Sequence, residues 1–267
     1  MLRRRRRGKG VWKELFVHPT PAVRRIVVAG LGIHFFNHLT GIEAVLLYSP
    51  RIFKAAGIAT RNEVLGATVG VGVTKTAFIL VAILLIDRIG RRRLYLSSLA
   101  GMIASLACLG LGLTVVEHSA PAHHAPRWAV ALAIATVFTF IASFSVGVGP
   151  VTWAYGSEVY PLRLRAQGTS VGVAINRLIN ATVSMTFVSL YKAMTIGGAF
   201  FMFAGLATVA AVFFYLFCPE TQGRPLEEIE DSFSQGWRAR LSSSSSAATV
   251  ELPRFSVPNG DGKSDAK

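Results

Sequence analysis

Long apolar runs alternate with short polar or charged stretches along most of the chain. Six runs stand out, at about 23–48, 64–86, 94–116, 128–155, 166–190 and 197–217. Each is long enough to cross a hydrocarbon layer as a helix, which takes roughly 20 residues. Pro50 is expected to end the first run, because proline lacks an N–H and clashes with the preceding turn. The basic stretch 1–22 reads as a cytosolic segment attracted to anionic lipid, with a short surface helix over Trp12 to Val17. D-R-I-G-R-R-R (Asp87 to Arg93) forms a tight charged turn between the second and third runs. P-E-T-Q-G-R-P-L-E-E-I-E, from Pro219, marks the return to water. The expected organisation is thus a basic segment (1–22), a six-helix transmembrane half-bundle (23–217), a cytosolic motif (218–231) and a disordered tail rich in Ser, Ala and Gly (232–267). The fold class is an all-α membrane protein.

Composition supports that assignment and excludes others. The chain is 52% hydrophobic and 16% charged, with a mean hydropathy of +0.47. Soluble domains carry about 25% charged residues. The net charge of +14 suggests nucleic acid at first sight. The basic residues lie between apolar spans, however, rather than on one polar domain, so no nucleic-acid partner is expected. Six spans place both termini on one side, and most of the 28 Lys and Arg fall on that side. The positive-inside rule makes it the cytosol. Cys108 and Cys218 both sit in apolar runs and imply no disulfide framework. No cleavable leader is expected after the N-terminal arginine run. No nucleophile–base pairing, phosphate loop or metal set appears, so neither an enzyme nor a cofactor is expected. His34 and His38 are four apart, but no acidic or thiol ligand follows in metal-site spacing.

The fourth run carries Gly147, Gly149 and Pro150, a predicted hinge in a helix that continues to Trp153, Tyr155 and the charged exit at Glu158. Polar side chains interrupt three of the runs. In the first, Asn37, Gly41, Ala44 and Tyr48 recur at helical spacing, and His34, His38 and Glu43 lie among them. Such a stripe points to a cavity or to hydrogen bonds with another helix. Lys75 lies about ten residues into the second run, roughly 15 Å from its end. An unpaired charge at that depth costs about 2.5–3.5 kcal/mol or more. Glu43 and Lys75 are therefore expected to face one aqueous cavity. The fifth run carries Asn176, Asn180 and Ser184 as a further stripe, with Arg177 beside it; Arg177 must be paired or hydrated, and no partner is evident.

Four motifs in order carry a family resemblance: G-I-E-A-V-L-L-Y-S-P from Gly41, D-R-I-G-R-R from Asp87, G-P-V-T-W followed by S-E-V-Y-P-L-R-L-R, and P-E-T-Q-G-R from Pro219. With them the chain resembles the C-terminal half of a sugar porter of the major facilitator superfamily, closest to the plant polyol/monosaccharide proton symporters. The resemblance implies transport of a polyol or sugar, coupled to protons, across what is by default the plasma membrane. It implies that Asn37, His38 and Glu43 stand where the family has Gln, Gln and Asn, with Lys75 in place of a family Asn. Trp153 matches the tryptophan that stacks on sugar, Asn176 an eleventh-helix Asn, and Tyr48 a tyrosine near the outer gate. Asp87, Arg91, Arg92, Glu158 and Glu220 match a cytosolic charge latch. Sugar porters have twelve spans and the proton-coupling carboxylate lies in the first half. The expected partners are therefore a substrate, protons, lipid, and a missing N-terminal half or another transporter chain. A truncated product or gene model is the expected origin, with a half-transporter that pairs with another chain as the alternative. Alone, the chain is expected to move no polyol; the alternative function is a non-transporting fragment that associates with or regulates full-length transporters.

Overall fold

The computed structural model describes residues 10–55, 60–118, 126–221, 223 and 233, all within one unit, Met1–Ser234. The expected disordered tail and most of the cytosolic motif after Thr221 lie outside the described residues. Among the described residues every regular element is helical. A short π-helical turn, Lys13–Val17, is followed by α1 (Pro21–Leu39), α2 (Ile42–Ala55), α3 (Arg61–Ile89), α4 (Arg91–His118), α5 (Arg127–Val146), α6 (Val148–Glu158), α7 (Arg165–Met194) and α8 (Ile196–Phe217). Six stretches are long and apolar enough to cross a membrane: Pro21–Leu47, Arg61–Ile89, Arg91–His118, Arg127–Glu158, Arg165–Met194 and Ile196–Phe217. They coincide with the six runs read from the sequence to within a few residues.

The first span starts where Thr20 Oγ1 accepts a hydrogen bond from the Val23 N–H at 3.3 Å and Pro21 occupies the first turn. It differs from expectation in two ways. It breaks at Thr40–Gly41, where Gly41 has φ +85° and a Cβ would meet the Phe203 ring at 2.7 Å. Nor does Pro50 end it: α2 runs on to Ala55. Pro50 has no N–H for the Leu46 carbonyl, and the Ser49 hydroxyl donates to that carbonyl instead, at 3.0 Å. The freed acceptor is satisfied, so the helix continues.

The fourth span breaks between α5 and α6, centred on Gly147 (φ −125°, ψ −72°), where a hinge was expected. Pro150 lies in the first turn of α6, where its missing N–H would lack a partner anyway. The gap in the hydrogen-bond ladder is closed from α4. Ser98 Oγ donates to the Ser143 carbonyl at 2.5 Å and accepts from the Val148 N–H at 3.1 Å. A side chain at Gly147 would strike Ser98 and the Leu94 carbonyl.

Helix α4 packs along both α5 and α8, α1 packs along α7, and α3 leans on α5. Buried Tyr95 of α4 stacks on Phe214 of α8 at 4.0 Å between ring centroids, with Leu99, Met102, Leu106, Phe140 and Phe200 in the same core. In lipid such contacts stabilise through close packing rather than release of water. Span α3 is the least enclosed: only Val64, Val71 and Ala82 are buried along it, against eight residues on the shorter α1.

Candidate functional site

The two broken spans and the stripe on α7 converge. Asn37, at the end of α1, is buried and donates from Nδ2 to the Thr152 hydroxyl at 2.9 Å and the Val148 carbonyl at 3.2 Å, both on α6. Its Oδ1 accepts from Asn176 Nδ2 of α7 at 3.3 Å, and the same amide donates to the His34 carbonyl at 3.3 Å. Asn176 Oδ1 lies 3.1 Å from His38 Nε2. With that oxygen accepting, Nε2 carries the ring proton. The other ring nitrogen, Nδ1, is 3.2 Å from Glu43 Oε1 and 3.4 Å from Asn180 Nδ2. Asn180 Nδ2 also donates to Glu43 Oε1 at 2.8 Å. One continuous polar network therefore runs from Thr152 through Asn37, Asn176 and His38 to Asn180 and Glu43, across four helices.

This network walls one side of a cleft of about 340 Å³. Asn37, His38, Glu43, Lys75, Gly149, Pro150 and Trp153 all line it, with Ile42, Ile79, Phe144, Ser145 and Arg177. Asn176 is fully buried behind His38 and does not line the cleft. The side chain of Tyr48 lies outside the described residues. Glu43 and Lys75 share the cleft without forming an ion pair with each other among the described residues. A larger open groove of about 640 Å³ between α3, α4 and α5 is lined by none of the predicted site residues, Ser97 and Thr74 being among its polar members.

One lining residue, Ser145, escaped the sequence reading, and a second, Arg177, was noted there without its place in the cleft. Ser145 is buried, and its hydroxyl has no hydrogen-bond partner among the described residues. Arg177, for which no partner was evident, has its guanidinium carbon 5.9 Å from the centroid of the Trp153 ring. The Trp153 indole is 42% exposed, and the buried His34 ring meets it nearly edge-on at 5.6 Å and 71°. His34 fits where Gly156 and Gly172 leave room. The arrangement offers an aromatic plate, pure donors in Lys75 and Arg177, a carboxylate acceptor in Glu43, and groups that both donate and accept. That is the chemistry which matches a small ligand bearing many hydroxyls.

A second cluster gathers charges at the ends of α3, α4 and α6. Arg91 Nη2 lies 3.2 Å from Asp87 Oδ1 and 3.1 Å from Glu158 Oε1. Glu158 Oε2 accepts from the Thr221 hydroxyl at 2.8 Å. Both oxygens of Glu220 accept backbone N–H groups at the start of α4, from Arg91 at 2.9 Å and Arg92 at 3.0 Å. Glu220 thus caps that helix and faces the positive end of its dipole. The Arg92 side chain turns elsewhere, donating to the Tyr215 carbonyl at 2.7 Å and lying 5.0 Å over the Tyr215 ring. Nearby, Tyr160 is fully buried against Gly30 and Gly168, and its hydroxyl has no hydrogen-bond partner among the described residues. Burial pushes its pKa upward. Glu14 of the N-terminal turn pairs with Arg163 at 2.5 Å.

A family profile described as "Sugar (and other) transporter" matches residues 1–233. The chain belongs to this sugar transporter family. Among its relatives, Polyol transporter 5 of Arabidopsis thaliana is 55% identical over 257 residues, covering 96% of this chain and 46% of the relative. The major myo-inositol transporter IolT of Bacillus subtilis is 36% identical, covering 84% and 45%. A solved structure of the proton:xylose symporter XylE bound to 6-bromo-6-deoxy-D-glucose matches with a TM-score of 0.67 and 30% identity, over 78% of this chain and 42% of that one. The inward-open xylose transporter XylE from E. coli matches at 0.64 and 27%, covering 82% and 48%. The fold is that of a major facilitator sugar porter, and the family is one of transporters, not enzymes. The chain spans about half the length of the relatives it matches.

Proposed function

We propose that the chain supplies one six-span half of a transporter for polyols or monosaccharides, and that the cleft is its part of the substrate site. The observation that carries this is the convergence of Asn37, His38, Glu43, Lys75 and Trp153 on one cleft from separate membrane helices. Polar groups held at membrane depth by mutual hydrogen bonds mark solute pathways. Trp153 offers a plate for the C–H face of a sugar, and Asn37, Glu43 and Lys75 offer partners for its hydroxyls. The breaks at Gly41 and Gly147 border the cleft and provide the flexure that alternating access requires. Arg91, Glu158 and Glu220 serve as the charge latch on the cytosolic side, where both termini lie, with the plasma membrane as the host. Proton symport follows from the likeness to proton-coupled relatives, with the coupling carboxylate supplied by the complementary half.

The low burial of α3 and the half-length match favour a chain that works against a second six-span unit. A chain that only associates with full-length transporters is the second reading. The test is uptake of labelled sorbitol by proteoliposomes. Vesicles with this chain alone take up none; vesicles that also contain the N-terminal half of Polyol transporter 5 show saturable uptake. Uptake by the chain alone overturns the half-transporter reading. No uptake in either case, with full-length Polyol transporter 5 inhibited by the added chain, establishes the second reading.

A further inference from the structure

Arg177 has no hydrogen bond or ion pair among the described residues, and its one contact of note is with the Trp153 ring in the cleft. An arginine within a membrane span is costly unless its charge is met. Here the indole face meets part of that charge through a cation–π contact, and the guanidinium N–H groups have no hydrogen-bond partner among the described residues. All five are donors in a planar fork. Lys75, which also lines the cleft, has no hydrogen bond or ion pair among the described residues either. Glu43, by contrast, accepts a hydrogen bond from Asn180 through Oε1, with His38 Nδ1 3.2 Å from the same oxygen. The cleft thus offers two donor-only side chains, Lys75 and Arg177, and a carboxylate acceptor, Glu43.

We propose that Arg177 both positions the Trp153 indole and sets ligand orientation, by presenting its fork to adjacent hydroxyl oxygens of a polyol lying against that indole. The ligand half of this statement rests on the polyol reading above; the positioning half does not. A lysine at 177 keeps the charge over the ring but loses the fork. A methionine keeps the bulk and loses both.

The test uses the full chain in lipid nanodiscs, with Trp12, Trp128 and Trp237 replaced by Phe so that the long-wavelength indole bands of the near-UV circular dichroism come from Trp153 alone. Far-UV spectra confirm helicity in each variant. Without ligand, Arg177→Met loses most of the Trp153 band, whereas Arg177→Lys retains it. With sorbitol as the probe, Arg177→Lys binds at least about fivefold more weakly than wild type, the loss expected from a charge-assisted bidentate contact. An unchanged band in Arg177→Met overturns the positioning role, whether or not sorbitol binds. An unchanged sorbitol affinity in Arg177→Lys overturns the orienting role. A wild-type chain that gives no sorbitol response counts against the polyol reading, and the ligand-free band still decides the positioning of Trp153.

Discussion

Asn180 Nδ2 lies 2.8 Å from Glu43 Oε1, a hydrogen bond that ties α7 to the first turn of α2 just beyond the break at Gly41. The same amide nitrogen is 3.4 Å from His38 Nδ1, so one side chain holds both the acidic and the imidazole members of the cleft wall. A hydrogen bond to a charged group contributes about 1.5–3 kcal/mol. Asn180→Ala is therefore expected to weaken sorbitol binding by about tenfold or more, measured by calorimetric titration in nanodiscs. An unchanged affinity would detach Asn180 from the site.

The Ser98 hydroxyl closes the ladder at the α5–α6 break by serving both Ser143 and Val148. Ser98→Ala leaves two backbone groups without that partner and is expected to cost about 1–3 kcal/mol in thermal unfolding. Gly147→Ala is expected to be worse, because its Cβ meets backbone as well as Ser98.

Glu220 caps α4 with both carboxylate oxygens. Replacing it with Ala removes two N–H partners and a favourable charge at the helix start, for a loss of about 1–2 kcal/mol. Glu158→Gln removes the charge partner of Arg91 on α6 while leaving Glu220 in place. It is expected to shift the balance between inward- and outward-facing states in a complete transporter, read by cysteine accessibility on the two sides. No shift would reduce these charges to topology signals.

Tyr160 gives a pH prediction. Burial raises its folded-state pKa above that of an unfolded tyrosine, about 10. The stability tied to its neutral form is present below that unfolded value and is lost as pH climbs through the alkaline range. Tyr160→Phe is expected to flatten the fall of Tm above about pH 10. An identical alkaline profile in the variant would show that another group governs it.

The six spans were legible because apolar runs of this length have few other uses, and the break at Gly147 was legible because glycines and a proline cluster there. The break at Thr40–Gly41 was not, because the apolar run continues through it and the deciding contact is with Phe203, far along the chain. Pro50 misled for a local reason: the Ser49 hydroxyl takes up the acceptor that the proline leaves. Asn37, Glu43 and Lys75 announced themselves as polar groups at membrane depth. That Asn176 stands behind His38, that Ser145 lines the cleft and that Arg177 lies over Trp153 depend on how helices rotate against one another, which spacing within a single helix does not encode.

The account rests on a hydroxyl-rich ligand seated between Trp153 and the Glu43–Lys75 walls. The most direct measurement is sorbitol titration of the chain in nanodiscs, with Trp153 fluorescence as the signal in the background that lacks the other tryptophans. The expected result is a saturable change in wild type that is strongly weakened in both Glu43→Gln and Lys75→Met. A Trp153 signal indifferent to sorbitol, or a sorbitol response that survives both neutralisations unchanged, would contradict it.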